Sequence, residues 1–74
     1  MSQLEKEINK LLDMDIKSVQ YINWFEESGG EVKRITENEW ELYEVTQYGI
    51  RTDYVDTYEK YNLDELVKEV YSWT

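Results

Sequence analysis

Seventeen carboxylates and seven tyrosines are the groups in this chain that could do chemistry, and they work without a single histidine or cysteine. A general base would have to be a carboxylate of raised pKa, a buried lysine or a tyrosine. Asp53 and Asp56, or Asp13 and Asp15, have the spacing of an acid and base pair. Seventeen carboxylates in 74 positions also make such pairs by chance, so the plainer reading is solvated surface charge. Calcium needs a dedicated loop of oxygen ligands with a central glycine and a closing glutamate, and no stretch has that spacing. "DMD" and "DYVD" read as a helix cap and a strand end, and "SGG" at 28–30 as a helix stop, not a phosphate loop. The expectation is a protein that is not an enzyme and has no metal or cofactor.

Eight Lys and Arg leave a net charge of −9, spread along the chain instead of gathered in a tail. That balance argues against direct contact with nucleic acid or an anionic membrane and favours a protein partner with a basic surface. Tyr43, Tyr48, Tyr54 and Tyr58 have the look of a stacking platform for bases, but such platforms lie in positive grooves, which this chain lacks. No apolar run approaches a membrane span and the first residues have no hydrophobic signal region. The expected location is the cytoplasm, of the encoding cell or of a host cell.

These side chains must be positioned by a small fold, because 74 residues leave room for one domain with a modest core. Three Trp, seven Tyr and one Phe supply its packing. "SQLEKEINKLL" sets Leu4, Ile8, Leu11 and Leu12 on one helical stripe, with Glu5, Lys6, Glu7 and Lys10 around the rest. Asp13 to Asp15 either break this helix or lie within a longer one, and a break is favoured. "IKSVQYINWFEES" then puts Val19, Ile22 and Phe25 on a second helical stripe, with Tyr21 and Trp24 on another side.

After the glycines the pattern turns to β. "EVKRIT" (31–36), "EWELYEVTQY" (39–48) and "IRTDYVDTY" (50–58) read as three strands of an antiparallel meander, with turns at Glu37–Asn38 and Gly49. Leu42 and Tyr43 are both bulky yet face opposite ways, so either a bulge intervenes or both faces meet something. "NLDELVKEVYSWT" closes with a helix capped by Asn62, with Glu65 three residues on, and a stripe of Leu63, Leu66, Val67, Val70 and Tyr71. The fold class expected is α+β: an N-terminal helix or helix pair, a three-stranded meander and a C-terminal helix packed on the sheet.

Alternation along "ENEWELYEV" aligns Glu37, Glu39 and Glu41 with Tyr43 and Val45 on one face, with Trp40 and Leu42 on the other. An acidic row that runs into an apolar end suits an interface in which rings anchor and charge steers. Tyr21 and Trp24 are further candidate anchors. Carboxylates at i and i+2 on a strand lie about 6.6 to 6.8 Å apart, against about 3.4 Å per phosphate along one DNA strand. Asp53 and Asp56, with Glu26 and Glu27, are the candidates to fill the gaps of a nucleic-acid mimic. In its composition the chain resembles the small, acidic, cysteine-free, aromatic-rich proteins with which phages block host nucleases, glycosylases and CRISPR effectors. That resemblance implies an anti-restriction or anti-CRISPR type of inhibitor that occupies the nucleic-acid site of a basic enzyme. The alternative is a structural or accessory domain that self-associates, as a homodimer, through its aromatic sheet face.

Overall fold

The computed structural model describes residues 2–26, 28–46 and 51–73. The fold is α+β, with two helices on one face of a four-stranded antiparallel sheet. Helix α1 is Gln3–Leu12, followed by strands β1 (Val19–Phe25), β2 (Ser28–Thr36), β3 (Glu39–Thr46) and β4 (Arg51–Glu59). A single 3₁₀ turn, Lys60–Asn62, leads into helix α2, Leu63–Tyr71. The strands lie side by side in chain order.

Helix α1 starts at a reciprocal cap: the Glu5 amide donates to Ser2 Oγ at 3.2 Å, and that hydroxyl donates to Glu5 Oε1 at 3.3 Å. Asp13 terminates it as the C-cap, so the break expected at "DMD" is present. Glu7, expected on the outside, is only 4% exposed and is met by Lys10 at 3.2 Å and Gln3 at 3.5 Å.

The second expected helix does not form. Residues 19–25 are β1, because Val, Tyr, Ile, Trp and Phe favour a pleated strand and a hairpin partner is at hand in β2. The stripe of Val19, Ile22 and Phe25 arises by coincidence of spacing: Ile22 is buried, while Val19 and Phe25 are exposed. The meander therefore has four strands, one more than expected. "SGG" is also not a helix stop, since Ser28, Gly29 and Gly30 begin β2. The hairpin turns just after Phe25, which pairs with Ser28, and Glu26 takes a left-handed φ of 51° there. A cross-turn bond from Ser28 Oγ to the Phe25 carbonyl, 2.9 Å, closes it.

Gly29 and Gly30 are required for different reasons. A Cβ on Gly29, whose φ is +148°, would stand 2.7 Å from the Asn23 carbonyl oxygen and 3.0 Å from Trp24 Cα. A Cβ on Gly30 would meet the two methyls of Val70 at 2.9 and 3.0 Å. Gly30 thus lets α2 approach the sheet closely.

The core lies between the sheet and the two helices. Leu11 and Met14, Ile22, Val32, Trp40 and Leu42, and Leu63, Leu66, Val67 and Val70 of α2 form one buried cluster. Tyr71, assigned above to the stripe of α2, is exposed. The cap expected from Asn62 is not made by its side chain, because the 3₁₀ turn runs straight into α2 and leaves Asn62 at φ −111°, ψ 17°, short of the extended backbone of an N-cap.

One residue ties the layers together. Arg34 on β2 donates from Nη1 to the carbonyls of Leu12 (3.1 Å) and Met14 (2.6 Å), and from Nη2 to that of Glu37 (2.7 Å). Its guanidinium also lies 4.6 Å from the ring centre of Trp40, whose Nε1 donates to the Leu11 carbonyl at 3.0 Å. Carbonyls at the C-terminus of α1 and in the turn after it are met in this way by two side chains of the sheet, that of Leu11 also accepting the Met14 amide at 3.3 Å.

Candidate functional site

Both helices pack on the face of the sheet that carries Val32, Trp40 and Leu42, and among the described residues nothing covers the other face. Strand pairing makes that open face a grid. One row crosses all four strands: Tyr21 opposite Glu31, Glu31 opposite Tyr43, and Tyr43 opposite Tyr54. The next row is Val19, Lys33, Glu41 and Thr57.

The rings and carboxylates of these rows hold one another. Tyr43 donates to Glu41 Oε1 at 2.9 Å and packs edge-on against Tyr54, with centroids 5.7 Å apart. Tyr21 and Trp24 pack at 4.7 Å with their planes tilted by 58°. Tyr21 is 50%, Trp24 44% and Tyr54 56% exposed, a large amount for rings of this size. The negative charge of Glu31, helped by burial and a hydrogen bond to it, raises the Tyr21 pKa above its usual value. Tyr43 is raised chiefly by its hydrogen bond to Glu41, then by burial and by the charges of Glu41, Tyr54 and Glu31. The tyrosines therefore remain neutral donors to neighbouring carboxylates.

Of the two alternatives raised for Leu42 and Tyr43, a bulge is present, but in the partner strand. β3 alternates regularly, while β4 carries one extra residue, Val55, between the partners of Tyr43 and Leu42. Three residues apart, Asp53 and Asp56 would fall on opposite faces of a regular strand; the insertion puts both on the side of the helices, Asp53 opposite Glu44 and Asp56 opposite Leu42. Asp53 pairs with Arg51 at 3.1 Å, and Asp56 accepts the Thr57 amide at 2.8 Å.

Of the expected acidic row, Glu41 and Glu39 share the face of Tyr43, but Glu37 belongs to the β2–β3 turn. Glu39 is drawn to the rim, where Thr36 donates to it at 3.2 Å and Glu59 stands opposite. Val45 has the parity of the open face yet is 4% exposed and outside the core cluster, beside side-chain-free Gly29. Tyr21 and Trp24 do reach the site, although on a strand instead of a helix. A bulge at Asn23, φ 52°, turns Trp24 to the side of Tyr21. Glu27, Gln47, Tyr48, Gly49 and Ile50 fall outside the described residues.

Glu31 and Lys33 were not among the candidates. The signal was present in "EVKRIT", where their alternation with Val32 marks one outer face. Lys33 standing opposite Glu41 dilutes the acidity, so the face is a mixed aromatic and acidic surface and not a regular array of charge. Among the described residues no group of three or more Asp or Glu is arranged to hold a metal ion, and no helix is long and apolar enough to cross a membrane. No family model, curated protein or solved structure matches the chain.

Proposed function

We propose that the chain acts by binding, not by catalysis, and that the open face of its sheet docks on a protein with a basic surface, so as to inhibit or regulate it. The observation that carries this reading is the uncovered row of Tyr21, Glu31, Tyr43 and Tyr54, with Trp24 beside it. Exposed rings flanked by fixed carboxylates suit the arginine and lysine side chains of a partner: the ring faces attract the cation and the carboxylates accept its hydrogen bonds. A like-charge pair at the rim, Glu39 opposite Glu59, adds repulsion that a cationic partner would relieve.

The finer reading is a partner that processes nucleic acid, with the chain seated where the nucleic acid would lie, in the manner of phage anti-restriction or anti-CRISPR inhibitors. Arginine-rich channels offer the chemistry this face accepts. Contact through rings, instead of copied phosphate spacing, would supply the affinity.

A pair of baits tests both levels. Glu31, Glu39 and Glu41 all changed to Lys should slow association with a captured partner strongly and flatten its salt dependence, because long-range attraction acts on the on-rate. Nucleic acid should displace the wild-type chain from that partner. Equal rates for both baits would sink the docking face. A partner that nucleic acid does not displace would remove the finer reading alone.

A further inference from the structure

Strand β1, "VQYINWF", has no charged residue in a chain of which 34% is charged. It is also an edge strand, with β2 on one side and, among the described residues, no strand on the other. Edge strands ordinarily carry charge, because bare backbone donors and acceptors invite another strand. The opposite edge obeys this rule: β4 carries Arg51, Asp53, Asp56 and Glu59. β1 instead exposes Val19 (46%) and Phe25 (70%) besides the Tyr21–Trp24 ring pair.

We propose that two copies of the chain pair antiparallel through their β1 edges about a two-fold axis, giving one continuous eight-stranded sheet. The charges that flank β1 select this occupant. Lys17 precedes the strand and Glu26 follows it, so antiparallel self-pairing brings Lys17 of one copy towards Glu26 of the other at both ends. Parallel pairing would set like against like. Pairing through β4, which carries three carboxylates and one arginine, would bring two strands of net like charge together. With one bare edge and one charged edge the assembly closes at two copies and does not grow. The inference does not rest on the docking reading. Its geometric consequence is that the two Tyr21–Trp24 pairs meet near the axis and the two open faces become one.

Sedimentation of the intact chain over a range of concentrations tests it. The wild type should show a monomer–dimer equilibrium that stops at the dimer. Lys17→Glu or Glu26→Lys alone should raise the dissociation constant about tenfold, since the symmetry axis repeats each change. The double exchange should restore it. Both side chains are exposed, so the variants should keep the fold, which circular dichroism checks. Val19→Lys should also favour the monomer, whereas Tyr54→Ala, three strands away, should leave the equilibrium alone. A monomer at every concentration, growth beyond a dimer, or a dimer indifferent to the single charge reversals would overturn the proposal. A dimer lost with Tyr54→Ala would overturn it too, in favour of association through the sheet face.

Discussion

Trp40 and Tyr43 sit three residues apart on β3, and the sheet sends them to opposite environments. Trp40 is fully buried, bonded through its ring nitrogen to the end of α1 and stacked under Arg34. Tyr43 lies half-covered among Glu31, Glu41 and Tyr54, with its hydroxyl spent on a carboxylate that is itself in reach of water. The two faces use aromatic residues for different ends. On the covered face the ring fills volume, and its one polar atom bonds a carbonyl at a helix end. On the open face the rings shield one another incompletely, which costs some hydrophobic stabilisation and leaves area for something else to bury.

The sharpest way to break this contrast is to empty the covered side. Trp40→Ala should destabilise the protein by about 3 to 5 kcal/mol, because it removes transfer energy, opens a cavity and takes away the ring's hydrogen bond to the Leu11 carbonyl. In a domain of this size that is much of the total stability. Chemical denaturation is the measurement, and a loss no larger than that of an open-face ring would erase the distinction between the faces.

Arg34→Lys comes next, with an expected loss of about 2 kcal/mol. The charge is retained, but an ammonium cannot reach the four carbonyls of Leu12, Met14, Thr36 and Glu37 and lie over Trp40 together. Unchanged stability would mean that Arg34 serves by charge alone.

The smallest effect concerns the tyrosines and alkaline pH. Tyr21 and Tyr43 on the open face and Tyr58 on the helix side all have pKa values raised above the ordinary 10.0, Tyr58 chiefly by burial and then by the charges of Asp56, Glu69 and Glu65. A raised folded-state pKa gives stability that is complete below the unfolded value and lost as pH rises through the folded one. Thermal stability should therefore be level in this respect below pH 10 and fall above it. Tyr43→Phe and Tyr58→Phe should each lessen the fall, as melting curves across that range will show. Tyr43→Phe should do so with little change at neutral pH, because its hydroxyl bonds a carboxylate that water can also reach. If the slope is the same in both variants, these hydroxyls do not sense their surroundings as described.

Several features were legible from the residues alone because they depend on local periodicity. The stripes of α1 and α2, the inward alternation of Trp40 and Leu42, and the strand character of β2, β3 and β4 all follow from side-chain spacing of 3.6 or 2. Glu41 and Tyr43 fell on one face for the same reason. The first hairpin was hidden because residues 19–25 satisfy both periods, and because Glu26 takes a left-handed turn position that glycine or asparagine would have announced. The pairing of strands decided what remained. The extra residue in β4 put Asp53 and Asp56 together on the helix side, away from the acidic row, and the bulge at Asn23 swung Trp24 onto Tyr21. Arg34 became a tie between helix and sheet only once α1 ended over β2. Composition and periodicity determined that this chain folds as helices against a sheet with a strongly acidic exterior. Which acids and rings share a surface was left to tertiary structure, because a one-residue shift in strand register changes the face of every side chain beyond it.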